Sequence, residues 1–147
     1  MDRYHANDAA TVELLAEMYR NTTTESESLA AAVPGIRDRG LMTEVTARLE
    51  RYAEFTDRTA KLLKRRAVKP REPSAMQKAV TRAGILVSAA ADPSSGRIAD
   101  MLAAGTCRGM DRLGDKLAES EARGCSPEAA ALCRDILAFE ERSLRSE

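Results

Sequence analysis

Wherever apolar residues recur in this chain they recur three and four residues apart, over stretches many helical turns long. That spacing restricts the chain to helices. A half-buried strand would need apolar and polar residues to alternate, and a buried strand would need a β-branched or aromatic run; neither occurs. The first seam reads Val12, Leu15, Tyr19, Thr22, Ser26, Leu29 and Val33, behind Asn7 and Asp8, either of which can cap a helix. Pro34 and Gly35 weaken its end, and Gly40 closes the turn. A second helix, about Leu41 to Arg66, repeats the spacing with Val45, Leu49, Tyr52, Thr56, Thr59 and Leu63. Two seams of this length make an antiparallel hairpin over 8–66.

Pro70 and Pro73 break the helix over Ala67 to Ala75. A shorter helix is expected from about Met76 to Ala90, followed by Asp92-Pro93, an N-cap with proline at the first helical position. From there a helix can run to about Arg123 with Ala99, Leu102, Thr106, Met110, Leu113 and Leu117 on one face. Gly124 stops it, and Ser126-Pro127-Glu128 starts the last helix, whose inward face reads Ala129, Leu132, Cys133, Ile136, Glu140 and Ser143. The expected architecture is therefore one all-α domain over 1–147, a four-helix bundle. Hairpins 8–66 and 93–146 are joined by a long crossover, 67–92, that carries the short extra helix. Nine extended residues span about 30 Å, the length of a 20-residue helix, so the crossover can return the chain along the bundle.

Composition removes several function classes. With 23 Lys+Arg against 23 Asp+Glu the formal net charge is zero. A dedicated nucleic-acid binder draws its affinity from a surplus of cations at phosphates, so no nucleic-acid partner is expected. The longest uncharged stretch of membrane character, Ala83 to Ala91, falls far short of the roughly 20 residues that cross a bilayer, and no apolar run follows Met1. No membrane association or export is expected. Cys107, Cys125 and Cys133 form no C-x-x-C pair and are odd in number, which reads as reduced thiols in a cytoplasmic protein.

The basic run from Lys61 to Arg71 could meet a phosphate or an acidic partner. Cations in a last helical turn are also favourable beside the negative end of the helix dipole, and no aromatic is interleaved to stack on bases. Gly105, Gly109 and Gly114 sit inside the third long helix at a cost of roughly 1 kcal/mol each relative to Ala. Something is therefore expected to approach the ridge of Gly105 and Gly109 closely: the crossover helix, a second subunit, or a cofactor. Helical projection puts Glu54 opposite the second seam and Asp57, Asp111 and Asp115 outside their seams, on solvated faces.

Two acids do not follow that rule. Glu25 flanks the first seam, and Glu140 falls within an apolar face of Leu132, Cys133, Ile136 and Phe139. Near them the seams turn polar, with Tyr19, Thr22, Ser26, Tyr52, Thr56 and Thr106 replacing aliphatics. If the first and last long helices run parallel, Glu25 and Glu140 reach similar heights. Three readings stand: a buried polar layer in which hydroxyls satisfy Glu140, Tyr52 being the favoured donor and Thr106 or Ser26 the substitutes; a weak metal site at Glu25 and Glu140; or exposure of one acid at a bundle end or interface. A bare buried carboxylate is excluded on cost.

The helix order, the long crossover and the mid-bundle acids resemble the ferritin-like superfamily. The segments Ile98-Ala99-Asp100-Met101-Leu102-Ala103-Ala104-Gly105-Thr106 and Phe139-Glu140-Glu141 are similar to those of small bacterial proteins of that architecture. Family members with a di-iron or di-manganese centre place a Glu on each of two helices and Glu-x-x-His on each of the other two. Glu25 and Glu140 are the positional equivalents here. The residue three after Glu140 is Ser143, the second helix offers Tyr52, Thr56 and Thr59, and His5 is the one histidine. Two Glu-x-x-His motifs are impossible, so no di-metal oxidase or catalase activity carries over, and Ser-His-Asp or Cys-His catalysis is unsupported, since His5, which reads as a solvated terminal side chain, is the only histidine available as base. The expectation is a non-enzymatic bundle without cofactor, structural or interaction-mediating, that forms a homo-oligomer and meets an unidentified protein partner. The alternative is an atypical carboxylate metal- or small-ligand-binding bundle using Glu25 and Glu140.

Overall fold

A computed structural model describes residues 2–70 and 95–145, with side chains over 8–70 and 96–145. Its elements are α1 (Asp2–Ala32), a 3-10 turn (Val33–Gly35), α2 (Arg39–Arg65), α3 (Ser95–Ala122) and α4 (Pro127–Arg145). No strand occurs among the described residues. The short helix expected at Met76 to Ala90, the Asp92-Pro93 cap and most of the crossover lie outside them.

The helix ends follow local chemistry, with two corrections. α1 begins at Asp2, so positions 7 and 8 lie inside the helix rather than at its start. An interior Asn or Asp costs only about 0.7 kcal/mol relative to Ala, too little to stop a helix, and Asp8 instead pairs with Arg66 of α2 at 3.3 Å. α2 begins at Arg39 rather than Leu41, because Asp38 is its cap: the Leu41 N–H donates to Asp38 Oδ2 at 3.0 Å, and Gly40 lies in the first turn. α3 ends in a Schellman closure, in which Gly124 N–H reaches Glu121 O and Cys125 N–H reaches Ser120 O, both at 3.0 Å. Gly124 takes the left-handed φ of 78° that this closure requires. The same closure ends α2 with Ala67 at φ 57°, the Val68 N–H donating to Leu63 O at 3.0 Å. Ser126 caps α4 through an Ala129 N–H bond of 3.2 Å, and its own N–H donates to Thr11 Oγ1 at 2.8 Å, which ties this turn to α1.

Cross-helix pairs set the directions of the helices. Asp8 meets Arg66 and Thr22 meets Thr56, so α1 and α2 are antiparallel. Glu13 meets Arg123 at 2.7 Å, Glu17 meets Arg112 at 2.7 Å and Glu25 meets Thr106 at 2.8 Å, so α1 and α3 are also antiparallel. Arg65 meets Glu128, Arg58 meets Asp135 and Tyr52 meets Glu140, which makes α2 and α4 antiparallel too. α1 therefore runs parallel to α4, and α2 parallel to α3.

The core fills the space between these helices. α4 buries the face its sequence presents, from Ala129 to Ser143, with Ala130 added. On α2 the buried row is Leu41, Val45, Arg48, Tyr52, Phe55, Thr59 and Leu62, with Leu63 beside it. Leu49 and Thr56, expected inside, are half-buried at its flank. α1 packs against α2 and α3 and also touches α4, so it buries two rows. Leu15, Tyr19, Thr22 and Leu29 form one; Thr11, Leu14, Met18, Asn21 and Glu25 form the other. Val12, Ser26 and Val33 of the expected seam are only half-buried. On α3, Ile98, Leu102, Thr106, Leu113, Leu117 and Ser120 are buried, while Ala99 and Met110 sit at the edge.

Candidate functional site

The antiparallel registers bring one level of all four helices together, and that level is polar and charged. Glu25 comes from α1, Arg48 and Tyr52 from α2, Thr106 from α3 and Glu140 from α4. Glu140 is 0% exposed, Arg48 3%, Glu25 6% and Asn21 7%. Ionisable side chains this deep are rare and need compensation, since an unpaired ion away from water costs several kcal/mol.

Each acid has its own donors. Glu140 Oε2 accepts from the Tyr52 hydroxyl at 2.9 Å, and Oε1 accepts from Asn21 Nδ2 at a long 3.4 Å. Tyr52 is itself held by an edge-to-face contact with Phe139, centroids 5.3 Å apart. Glu25 Oε2 accepts from Thr106 Oγ1 at 2.8 Å. Thr106 therefore serves Glu25 rather than standing in for Tyr52. Half-buried Thr56 is bonded to fully buried Thr22 at 2.9 Å. Ser26 does not join the layer: it lines an open groove of about 410 Å³ between α1 and α2, with Tyr19, Thr23, Glu27, Thr56 and Asp57. Both acids are buried within the bundle, so exposure of either at an end or interface is excluded.

Burial and mutual repulsion govern the titration of this layer. Removal from water raises the Glu25 pKa, and the Thr106 hydrogen bond and the nearby positive charges of Arg48 and Arg108 oppose the rise. Removal from water, reinforced by the charge of Glu25, pushes Glu140 up to about 8, against the bonds from Tyr52 and Asn21 and the attraction of Arg48. The Tyr52 phenol is raised by the same burial and by both carboxylates, so it stays protonated and donates at any physiological pH.

Sequence reasoning missed Arg48 and Asn21. Arg48 had a visible signal: Leu41, Val45, Arg48, Tyr52, Phe55, Thr59 and Leu62 follow an alternating four-three spacing in which the arginine occupies a core position. Asn21 belongs to the row of α1 that faces α3, which a single seam per helix does not reveal. The glycine ridge resolves differently from expectation. A Cβ on Gly109 would lie 3.2 Å from Asn21 Nδ2 and 3.6 Å from Glu25 Oε1, so α1's polar side chains are the visitors there. Among the described residues, Gly105 has only Arg108 of its own helix nearby and Gly114 has nothing within 4 Å.

The remaining candidates are ordinary surface and core. Glu54, Asp57, Asp111 and Asp115 are exposed. Within the basic run, Lys61 pairs with Asp57 at 2.9 Å, Arg65 with Glu128 at 3.1 Å and Arg66 with Asp8, which bridges α2 to its two neighbours. Cys107 is exposed, Cys125 half-buried and Cys133 buried. Burial, with the charge of Glu140, pushes the Cys133 thiol up to about 12, which leaves it unreactive. No described helix is long and apolar enough to cross a membrane.

The donor set does not fit a di-metal centre. Such a centre needs roughly six protein ligands, including nitrogen donors, whereas the layer offers two carboxylates and an amide. No group of three or more His, Cys, Asp and Glu converges among the described residues. The side chain of His5 lies outside those described. The guanidinium of Arg48, itself a cation acting on both acids, repels a second positive charge. No protein-family model matches the chain, and neither does any curated protein or solved structure.

Proposed function

We propose that the chain is a ferritin-like helical bundle that works without a metal centre, as a structural or protein-interaction component that self-associates in the bacterial cytoplasm. The observation that carries this reading is Arg48, 3% exposed, whose positive charge acts on both buried acids. A fixed side-chain cation supplies the positive charge that a bound metal supplies in metal-bearing bundles, so the acids serve packing and register rather than redox chemistry. Two further features support the ferritin-like topology: α1 runs parallel to α4, and α2 parallel to α3. That order is the one expected of two hairpins joined by a long crossover.

The test is elemental analysis and light scattering on protein purified without chelators. The reading expects no stoichiometric iron, manganese or zinc, and a mass above that of one chain at micromolar concentration. Two metal ions per chain, lost in a Glu25→Ala/Glu140→Ala double variant, would overturn the metal-free reading. A monomer mass throughout would remove self-association.

A further inference from the structure

The charges of the buried layer do not balance when every acid is ionised. From α1, Glu140 faces Glu25 and Asn21; from α2, it faces Arg48 and Tyr52. On α3 the groups are Thr106 and the exposed Arg108, both acting on Glu25, and on α4 itself the titratable neighbour is Cys133. Arg48 is the buried cation of this set. Arg48 also pairs with half-buried Glu44 of its own helix at 3.9 Å, so the two buried carboxylates leave a surplus negative charge where water cannot screen it.

A second observation is independent of that count. Asn21 Oδ1 is buried and meets no donor, while Nδ2 reaches Glu140 Oε1 only at 3.4 Å. An amide has the same shape either way round. Turned over, it offers Oδ1 to Glu140 Oε1. A carboxylate has no use for an acceptor there, but a carboxylic acid does.

We infer that the layer is a one-proton store, in which a single proton rests on Glu140 Oε1, donates to Asn21 Oδ1, and is taken up and released while the bundle stays folded. This rests on the metal-free reading, since a bound metal would displace the proton. On release the Oε1–H bond breaks and the proton passes to hydroxide, forming water. The Asn21 amide then turns so that Nδ2 donates to the carboxylate, and Tyr52 donates to Oε2 in both states. The layer gains one negative charge, and the same burial and repulsion that raise Glu140 set the direction. Asparagine suits the position because it serves both states, where an ionised Asp could only accept and Leu would do neither.

The experiment is carboxyl carbon NMR of the full chain, with glutamate labelled, between pH 5 and about 10. The expected result at neutral pH is one carboxyl with the shift of a neutral acid. It should be absent in Glu140→Gln and should ionise with a midpoint near 8, the Asn21 side-chain amide moving with the same midpoint and the far-UV circular dichroism unchanged. Glu25→Gln leaves Glu140 in place and removes the like charge, so its midpoint should fall by about one pH unit. Every glutamate ionised at neutral pH, an Asn21 amide that does not respond, or an unmoved midpoint in Glu25→Gln would each overturn the proposal. Metal in the same sample would identify failure of the metal-free reading instead.

Discussion

Replacing Glu140 by Gln should stabilise the protein at alkaline pH and do little at acid pH. The carboxyl has an ordinary pKa of 4.5 in the unfolded chain and one of about 8 in the bundle. Across that window the folded state binds more protons than the unfolded state, so stability falls as pH rises. The loss begins above the unfolded value and is complete once pH has passed the folded one. About 3.5 pH units separate the two values, and at 1.36 kcal/mol per unit the ceiling is about 5 kcal/mol. Relaxation and water entry on ionisation lower this to about 2 to 4 kcal/mol. Glutamine keeps the shape, accepts from Tyr52 and never ionises. Its stability relative to wild type should therefore climb by about 1 kcal/mol per pH unit between roughly pH 5 and 8 and level off above. Urea unfolding followed by circular dichroism at unit pH intervals reads this directly. Taking the difference cancels groups common to both chains, including Glu13, whose carboxyl the Arg123 hydrogen bond holds low. A difference independent of pH, or one that falls as pH rises, would refute the argument that Glu140 is an acid held out of water.

Arg48→Met leaves the buried Glu25 carboxylate without the cation that acts on it and should cost about 3 to 5 kcal/mol in a denaturant titration at neutral pH, with about half recovered in the Glu25→Gln background; equal losses in both backgrounds would mean that Arg48 acts through packing alone. Ala67→Gly relieves a side chain at φ 57° and should raise stability by about 0.5 to 1 kcal/mol; a lower melting temperature would count against the strain. Gly114→Ala, with nothing within 4 Å among the described residues, should stabilise by about 0.5 to 1 kcal/mol through helix propensity. Gly109→Ala presses on Asn21 at 3.2 Å and should be about 1 kcal/mol less favourable than the Gly114 variant. Matching thermal shifts for the pair would show that Asn21 moves aside freely.

What the sequence determined by itself was local. Three- and four-residue spacing excluded strands, and Gly124 with Ser126-Pro127 marked the turn between α3 and α4, because these signals act within one or two turns of chain. The buried face of α4 was legible residue by residue, Glu140 included, since this helix carries one apolar stripe. Tertiary structure decided the rest. α1 packs between neighbours and buries two rows, so its seam alone placed Ser26 inward and overlooked Asn21. The pairings of Tyr52 with Glu140 and of Thr106 with Glu25 depend on the antiparallel registers of α2 against α4 and of α1 against α3. Compensation by Arg48 depends on them too. An arginine at a core position is costly in any isolated helix reading. Glu44, one turn earlier on α2, is one partner of Arg48; the two buried acids on which the Arg48 charge acts come from two other helices, and no residue of α2 records that they will arrive.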